Sequence, residues 1–268
     1  MENKVRTGAT ITWCPGCPNF QILAGAQQFL EEEIKKGKKK QDFAIVSGIG
    51  CHAKIFDYLD LPGINTLHGR VPPTCLGMKL ARPELNVIGF SGDGDAYAEG
   101  MEHVISAARF NSNFKYLIHN NQVFALTLGE PSPSTELNFK DATTPFGVKT
   151  PPLNPIKLLL AADATFVARV YSEVAQVKEI LKEAFKHKGF AFVEIIQPCR
   201  IFHADEDYKS RFYDLQKSDH DKTDMKAAME KAEEFDYSSE NSKIPLGIFY
   251  QKERPTFEEL KLNKRIIG

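Results

Sequence analysis

The sequence predicts an α/β protein whose residues 1–200 form a doubly wound, mostly parallel β-sheet, followed by a C-terminal extension over residues 201–268. Two observations predict this class. Short apolar runs typical of buried strands recur along the chain, and each stops at a turn rich in glycine or polar residues. Segments with apolar residues at helical spacing separate these runs, and strand, helix and strand in this order form a right-handed crossover in a parallel sheet.

The first elements show this alternation. Residues 19–36 carry apolar side chains along one helical stripe, and Gly37 is expected to end that helix. Residues 43–46 form an apolar run that stops at a glycine-containing turn, which is typical of a buried strand. Residues 86–90 are a similar run that stops at the turn 91–95. We therefore expect each turn to lie at the carboxyl end of a strand.

The later elements continue the pattern. We predict a helix at 97–110, a strand at 116–118, a helix at 155–162, a strand at 166–170, a helix capped by Ser172 at 172–187 and a strand at 190–196. In the extension, residues 225–235 are predicted to be helical and residues 244–249 form a short apolar segment. The extension is richer in charge, and we expect it to wrap the main domain or a partner subunit.

The charge balance and the apolar stretches exclude several classes of protein. The 34 Lys and Arg residues nearly balance the 35 Asp and Glu residues, so the formal net charge is -1 and a nucleic acid partner is not indicated. The longest apolar stretches, such as 158–162, are far shorter than the roughly 20 residues of a membrane-spanning helix. The first six residues are rich in charge and lack an apolar signal core, which predicts a cytoplasmic protein.

Two polar turns predict a magnesium and diphosphate site. Glycine-rich turns such as Gly92 to Asp95, at the carboxyl end of a strand, let backbone N–H groups approach phosphate. Asp93 offers a carboxylate oxygen and Asn121, after the next strand, offers an amide oxygen, both of which suit magnesium. An ordinary turn with a helix-capping Asp would look similar to the first half. The pairing of Gly94 with Asn121 across 26 intervening residues is more specific and resembles the signature of thiamine diphosphate enzymes.

Cys14, Cys17, Cys51 and Cys199 predict a metal or cluster site. Five cysteines is an odd number for a disulfide framework, and two of them form a close Cys-x-x-Cys pair just before a predicted helix. Four thiolates can bind a 4Fe-4S cluster or a structural zinc. The spacing favours the cluster, because zinc ribbons usually contribute two close pairs, whereas Cys51 lies in a glycine turn beside the expected diphosphate. Cys75 is interpreted as a buried structural thiol.

Taken together, these motifs resemble the β subunits of 2-oxoacid:ferredoxin oxidoreductases of the smaller two-subunit type. The resemblance extends along nearly the whole chain and is carried by residues 12–17, 47–51, 66–70, 92–95, 129–133, 197–199 and 220–224. It implies the thiamine diphosphate-binding type of doubly wound fold. It also implies reversible oxidative decarboxylation of a 2-oxoacid to acyl-coenzyme A and carbon dioxide, with electrons passed through a 4Fe-4S cluster to ferredoxin.

The resemblance also implies roles for individual residues. Cluster ligation is implied for Cys14, Cys17, Cys51 and Cys199. Magnesium ligation is implied for Asp93, Asn121 and the backbone carbonyl of Val123. Contacts to the cofactor are implied for Ile49, Gly50, Cys51, His52, His68, Gly92, Gly94, Asp95, Ala125 and Leu126.

Three residues are predicted to be catalytic. Cys51, in the glycine turn, is interpreted as the bridge between the cluster and the cofactor. His68 and Arg70 are expected to contact phosphate or carboxylate groups of the cofactor or the substrate. The alternative for these two residues is that they pair only with local carboxylates.

Three positions depart from the usual pattern of the family. His52 stands where serine is frequent, Asn120 precedes Asn121 where aspartate is common, and Leu128 replaces the usual lysine. The last change removes a positive charge near the mouth of the site, which leaves the preferred 2-oxoacid open. In the family, the glutamate against the aminopyrimidine ring comes from another subunit. The resemblance therefore implies an α (or fused γα) partner, in a heterodimer or a dimer of heterodimers.

The same residues leave two other functions open. A thiamine diphosphate-dependent decarboxylase or synthase without redox function would use the diphosphate site alone, and its cysteines would be incidental. A non-enzymatic interaction subunit would use the cysteines to bind a structural zinc. Iron and acid-labile sulfide in the purified protein distinguish both from an oxidoreductase.

Overall fold

The computed structural model describes residues 4–204, 208–239 and 241–262. Its helices are α1 (Asn19–Lys35), α2 (Ile55–Tyr58), α3 (Val71–Ala81), α4 (Met101–Phe110), α5 (Pro155–Ala161), α6 (Val174–Lys186), α7 (Tyr208–Arg211), α8 (Met225–Glu233) and α9 (Phe257–Leu262). Its strands are β1 (Phe43–Ser47), β2 (Gly63–Asn65), β3 (Asn86–Gly92), β4 (Phe114–Asn120), β5 (Val123–Phe124), β6 (Glu130–Pro131), β7 (Phe166–Tyr171), β8 (Ala191–Ile196), β9 (Phe212–Asp214) and β10 (Ile244–Gln251). Among the described helices, none combines the length and the apolarity that a membrane span requires.

Eight of these strands form one sheet in the order β2-β1-β3-β4-β8-β7-β10-β9, and β5 and β6 form a separate antiparallel pair. The strands from β2 to β7 in this order are parallel, whereas β10 is antiparallel to β7 and carries β9 beside it. The chain leaves β1 towards one edge and β3 towards the other, so the winding reverses between them. Ligands of open α/β sheets bind at such a point. The predicted doubly wound, mostly parallel sheet is confirmed.

Helices cover both faces of the sheet. The helices α1, α2 and α6 pack on one face, and α3, α4, α5 and α8 pack on the other. Strand β3 reads as an unbroken apolar run because Ile88 and Phe90 enter the first core while Val87 enters the second. Burial of each such side chain contributes roughly 1.5–3 kcal/mol, so a slip in register would be costly. The central strands therefore fix where their carboxyl-terminal turns lie.

Strand β4 is longer than the predicted 116–118. It pairs with β3 on one side and β8 on the other, and the second ladder continues to Asn120. The backbone groups of the polar residues His119 and Asn120 are therefore satisfied inside the sheet, although the apolar run ends before them. The neighbouring strands, and not the side chains of β4, decide where this strand ends.

The helix predicted at 97–110 is divided into two parts. A π-helical turn, Gly94–Ala98, directly follows Asp93, and α4 begins only at Met101. Another loop approaches closely at the interruption, since a Cβ atom on Gly69 would lie 2.2 Å from the carbonyl oxygen of Glu99. Isolated π turns are frequent at functional sites, and this one lies next to the predicted diphosphate turn.

The prediction that Ser172 caps α6 is wrong. The N–H of Ser172 donates to the carbonyl of Ile196, which continues the pairing of β7 with β8 by one residue. Helix α6 begins at Val174 with Glu173 as its N-cap residue. The Ser172 hydroxyl has no hydrogen-bond partner within the described part of the chain.

The C-terminal segment contributes two strands to the same sheet. The helix predicted at 225–235 is α8, and the apolar segment 244–249 is the centre of β10. A third apolar cluster, which includes Phe235 and Tyr237, packs beside these strands. Residues 205–207, 240 and 263–268 of the predicted extension lie outside the described residues. Residues 1–3, part of the charged N-terminal segment discussed above, also lie outside them. The division of the chain at residue 200 stays a prediction.

Candidate active site at the carboxyl end of the sheet

Three loops meet where the winding of the sheet reverses. They follow β1, β3 and β4, and together with His68 they enclose a cavity of about 130 Å³. Its lining comprises Ile49, Gly50, Cys51, His52, His68, Gly92, Asp93, Gly94, Asp95, His119, Asn121, Val123, Phe124, Ala125, Leu126 and Thr127. The structure therefore brings together all ten residues predicted to contact a cofactor and all three predicted to bind magnesium.

Asp93 and Asn121 emerge from neighbouring strands. Gly92, the last residue of β3, pairs with His119 of β4, so each acidic or amide side chain follows one or two residues later. Asp93 Oδ1 lies 3.5 Å from the backbone N–H of Asn121, and Asp93 Oδ2 accepts a hydrogen bond of 3.0 Å from Ser134 Oγ. Burial raises the pKa of the Asp93 carboxyl. The hydrogen bonds that Asp93 accepts within the chain therefore do not fully offset the cost of burying its negative charge.

The loop after β4 holds Asn121 in a tight turn. Asn121 Oδ1 accepts the N–H of Val123 at 3.1 Å, and its Nδ2 donates to Gln197 Oε1 at 3.3 Å. Gln122 between them has a φ of 62°, a left-handed conformation that residues with a Cβ atom rarely adopt. The carbonyl of Val123 accepts the N–H of Ala125 at 2.9 Å. The turn thus presents an amide oxygen and a carbonyl oxygen from residues two apart.

Asp95 connects the three loops. Its Oδ1 accepts the N–H of Gly69 at 2.7 Å and lies 3.3 Å from His68 Nδ1, while its Oδ2 lies 3.5 Å from His52 Nε2. Burial alone would raise the pKa of Asp95, but His52 and the Gly69 N–H outweigh it and lower the pKa. A Cβ atom on Gly48 would lie 1.9 Å from Asp95 Oδ2, so only glycine fits there.

Several buried polar atoms at this cavity have no hydrogen-bond partner among the described residues. His119 Nε2 is one of them, and two others, His52 Nε2 and Asp95 Oδ2, face each other at 3.5 Å as an ion pair without a well-formed hydrogen bond. Burial, with a smaller contribution from His52, lowers the pKa of His119 well below its ordinary value, so its imidazole is neutral. Its Nδ1 lies 2.7 Å from Asn19 Oδ1, an acceptor, so Nδ1 carries the hydrogen and Nε2 is a free acceptor. Buried polar atoms are normally paired, so this cavity suits a polar ligand.

Arg70 is not brought to the cavity. Its Nη1 donates to the carbonyl of Glu99 at 3.1 Å and lies 3.8 Å from a carboxylate oxygen of Glu102. His68, by contrast, lines the cavity with a third of its side chain exposed. The position of Arg70 therefore matches the alternative prediction, in which this residue pairs only with nearby carboxylates.

Of the four predicted cluster cysteines, Cys51 lines the cavity. The N–H of Cys17 donates to the carbonyl of Cys14 at 3.1 Å, and Trp13 Nε1 donates to the carbonyl of Cys51 at 2.6 Å, which ties the first loop to the β1 turn. Burial raises the pKa of Cys51 to about 11; Lys54 lowers it, and the other three thiols raise it further. The four sulfurs are therefore close enough for their charges to interact. Cys75 is buried in the second core, away from them.

No three His, Cys, Asp or Glu side chains among the described residues converge on one point as a single metal ion would require.

Gln197 contacts both a predicted magnesium ligand and a predicted cluster cysteine. Its Oε1 accepts from Asn121, and its Nε2 lies 3.9 Å from Cys17 Sγ.

Sequence reasoning did not single out His119, Ser134 or Gln197 as site residues. Each is a polar residue next to a predicted ligand or in a buried loop, and this pattern alone is too common to identify a site. His119 gave the best signal, because it is a histidine at the end of an otherwise apolar strand.

Comparison with known proteins adds independent evidence. Residues 48–195 match the family model of the thiamine pyrophosphate enzyme C-terminal, TPP-binding domain, and residues 204–263 match the C-terminal model of the pyruvate ferredoxin oxidoreductase β subunit. The 2-oxoacid:ferredoxin oxidoreductase subunit β of Saccharolobus solfataricus is 39% identical, over 94% of this chain and 86% of the relative. The 2-oxoglutarate synthase subunit KorB of Archaeoglobus fulgidus is 39% identical, over 70% of this chain and 69% of the relative.

A solved structure is similar along the whole chain. It is the 2-oxoglutarate:ferredoxin oxidoreductase from Magnetococcus marinus with 2-oxoglutarate, coenzyme A and succinyl-CoA bound. The TM-score is 0.89 at 32% identity, and the match covers 100% of this chain and 93% of the other. These relatives confirm the family expected from the motifs. The chain belongs to the β subunits of the 2-oxoacid:ferredoxin oxidoreductases, thiamine diphosphate-dependent enzymes that decarboxylate 2-oxoacids oxidatively with ferredoxin as the electron partner.

Proposed function

We propose that this subunit binds thiamine diphosphate through a magnesium ion held by Asp93, Asn121 and the carbonyl of Val123. With an α subunit it would oxidise a 2-oxoacid to acyl-coenzyme A and carbon dioxide. The observation that carries the proposal is the convergence of Asp93 and Asn121 from the adjacent strands β3 and β4 on one cavity. Carboxylate, amide and carbonyl oxygens are the ligands that magnesium prefers. A dication would also compensate the buried Asp93 carboxylate.

The part of the site proposed to hold the diphosphate requires the backbone of the β3 turn to pass close to neighbouring groups. A Cβ atom on Gly94 would lie 2.3 Å from the ring of Phe124, so the turn can pass this ring only as glycine. Asp95 holds the β1 turn and the loop of Gly69 against the β3 turn by accepting their N–H groups. The residues of this chain thus shape and anchor a pocket for an anionic group. When bound, the cofactor supplies the nucleophilic carbon that the reaction needs.

Two histidines of the cavity differ in their burial and their neighbours. His119 is neutral and offers Nε2 as an acceptor, so it can accept a proton or an N–H from a ligand but carries no charge to attract an anion. His68 is the more exposed ring and lies against Asp95. We expect His68 to donate to phosphate or carboxylate groups at the open side of the cavity.

We further propose that Cys14, Cys17, Cys51 and Cys199 bind a 4Fe-4S cluster that passes electrons to ferredoxin. A cubane attaches each thiolate to a different iron atom, so its ligands need not converge on one point as zinc ligands do. The charges of Cys14, Cys17 and Cys199 each raise the pKa of the Cys51 thiol, and this mutual influence supports the set. Cys51 also lines the cofactor cavity, so a cluster that it helped to hold would lie next to the cofactor site.

A partner subunit is expected to complete the site. The cavity of about 130 Å³ is smaller than the roughly 300–1,000 Å³ of ordinary ligand pockets. Ile49 and Leu126 in its lining are 40% and 50% exposed, and Leu128, which follows the lining residue Thr127, is 69% exposed; such apolar exposure suits coverage by another protein surface. We therefore expect the isolated chain to bind the cofactor weakly and to turn nothing over. A cytoplasmic location and a heterodimer or dimer of heterodimers stay predictions.

Anaerobic purification with the α subunit tests the proposal. We expect about four iron atoms and matching sulfide per chain, magnesium-dependent binding of thiamine diphosphate, and dye reduction with at least one of pyruvate, 2-oxoglutarate and branched 2-oxoacids. Replacement of Cys51 by alanine should remove iron and sulfide, whereas Cys75→Ala should retain both. Zinc without sulfide would contradict the cluster. Equal dye reduction by the isolated chain would contradict the need for a partner.

A further inference from the structure

A buried ion pair lies near the centre of the sheet. Arg169 of β7 and Glu194 of β8 are fully buried, and Arg169 Nε donates to Glu194 Oε2 at 2.6 Å. The hydroxyl of Tyr237 donates to Glu194 Oε1 at 2.7 Å, and Arg169 Nη2 donates to the same hydroxyl at 3.1 Å. The guanidinium also lies 4.9 Å from the ring centre of Phe235 and 5.3 Å from that of Phe249. These contacts hold the Glu194 carboxylate in one place.

Asn120 contacts this carboxylate directly. Its Nδ2 donates to Glu194 Oε1 at 2.7 Å. Because an ionised carboxylate only accepts hydrogen bonds, the amide has to turn its nitrogen towards Glu194 and its oxygen to the opposite side. The buried ion pair therefore determines the orientation of the Asn120 amide.

The amide oxygen of Asn120 faces the loop that carries the proposed metal ligands. It accepts the N–H of Gln122 at 3.1 Å, a bond that closes the turn in which Gln122 adopts its left-handed conformation. Ser134 Oγ lies 2.9 Å from this oxygen and 3.0 Å from Asp93 Oδ2, and its single proton can join the two acceptors as a three-centre hydrogen bond. One amide thus contacts the turn between Asn121 and Val123 and, through a single hydroxyl, the Asp93 carboxylate.

We infer that Asn120 is a positioning residue for the magnesium and diphosphate site. Oriented by the Glu194–Arg169 pair, its amide sets the turn that presents Asn121 and Val123 and, through Ser134, fixes the Asp93 carboxylate. The inference rests on the proposed function, because it needs a metal ion at those three residues. Partners that orient metal ligands typically change metal affinity by about 10- to 100-fold when they are lost.

The test uses the complex of this chain with its partner subunit and measures magnesium and thiamine diphosphate affinity by calorimetry. Asn120→Ala removes both the donor to Glu194 and the acceptor for the Gln122 N–H and for Ser134, so we expect affinity to fall about 10- to 100-fold. Asn120→Asp keeps an acceptor oxygen for the Gln122 N–H and is the common residue here in the family, so it should retain more affinity than Asn120→Ala.

Asn111→Ala is the matched control. Asn111 is also buried and its Nδ2 donates to the carbonyl of Arg254 at 2.9 Å, but it lies at the other end of the sheet. It should lower the unfolding midpoint and leave both affinities unchanged. The positioning role is wrong if Asn120→Ala binds as tightly as the wild type, if Asn120→Asp binds as weakly as Asn120→Ala, or if Asn111→Ala loses as much affinity.

Ser134→Ala provides a second variant in case Asn120→Ala does not fold. It removes only the hydroxyl between Asn120 and Asp93, so magnesium affinity should fall while the unfolding midpoint changes little. Unchanged magnesium affinity in Ser134→Ala would contradict the inference. A wild-type complex that does not bind thiamine diphosphate with magnesium would instead contradict the proposed function itself.

Discussion

The two ends of the sheet bury polar side chains in opposite ways. At the amino end, Lys115 Nζ donates to Asn113 Oδ1 and to the carbonyls of His187 and Gly189 at 2.8–3.0 Å. At the carboxyl end, His119 Nε2 is buried without a partner among the described residues, and His52 Nε2 and Asp95 Oδ2 face each other only at 3.5 Å. The contacts of Lys115 are satisfied by the chain itself and stabilise the fold. The polar atoms at the carboxyl end are less well satisfied, which suits that end to binding a polar ligand.

Among the changes at the two ends of the sheet, Asp93→Asn at the carboxyl end should have the largest effect on cofactor affinity. The amide keeps the size of the side chain but loses the charge, so magnesium-dependent binding of thiamine diphosphate in the complex should fall at least about 100-fold. Because burial raises the pKa of Asp93, its charge is costly without a metal ion. The unfolding free energy of the isolated, metal-free chain should therefore rise by about 1 kcal/mol. The exposed variant Asp57→Asn should change neither quantity, and a destabilised metal-free Asp93→Asn would contradict the comparison.

Lys115→Met tests the amino end. Three oxygens would lose their donor, so the unfolding free energy should fall by about 2–3 kcal/mol in urea titrations, with cofactor binding unchanged. The exposed control Lys186→Met should cost less than about 0.5 kcal/mol.

The difference in folding stability between the wild type and Lys115→Met should depend on pH in a known direction. Burial, with the charge of Lys79, lowers the pKa of Lys115 to about 7. A base whose pKa is lowered in the fold takes up its proton more readily in the unfolded chain. The wild type should therefore lose stability relative to Lys115→Met as the pH falls from about 10 to about 7. Parallel stability curves for the two proteins over this range would show that the amine stays charged in the fold.

Gly48→Ala should have a smaller effect at the carboxyl end. The new Cβ atom would lie 1.9 Å from Asp95 Oδ2, so Asp95 has to move and its contacts with Gly69 and His68 loosen. We expect thiamine diphosphate affinity in the complex to fall about 10-fold. Retained affinity would mean that the three loops do not depend on Asp95.

Gly77→Ala is the matched glycine change and has the smallest expected effect. Gly77 lies inside α3 and a Cβ atom there would meet nothing within 4 Å. Alanine favours the helix, so the unfolding free energy should rise by about 0.5–1 kcal/mol, with affinity unchanged. A loss of stability in Gly77→Ala would mean that the added methyl group meets a neighbour at this helix surface, contrary to the open space seen here.

Local sequence signals predicted the strands that carry the site. The apolar runs before Gly92 and Asn121 are central strands buried on both faces, so their ends are visible as abrupt changes to polar residues. Because parallel neighbours end at the same side of the sheet, the meeting of Asp93 with Asn121 followed from the order of the elements.

The polar support of the site could not be predicted in the same way. Arg169 and Glu194 lie in apolar strands, and their burial indicates a pair, but many partners would satisfy that condition. The contact of Tyr237 with Glu194 spans 43 residues, and no periodic pattern encodes it. For the same reason the sheet membership of β10 was missed, since an antiparallel edge addition depends on long-range packing.

The late position of β10 in the sequence has a consequence for biosynthesis. Arg169 is enclosed by Phe249 and Tyr237, both of which leave the ribosome long after the strands that carry Asp93 and Asn121. A nascent chain that ends before residue 237 would expose a guanidinium in the middle of its sheet. The ion pair that orients Asn120 is therefore enclosed only after residue 249 has been synthesised, well after the strands that carry Asp93 and Asn121.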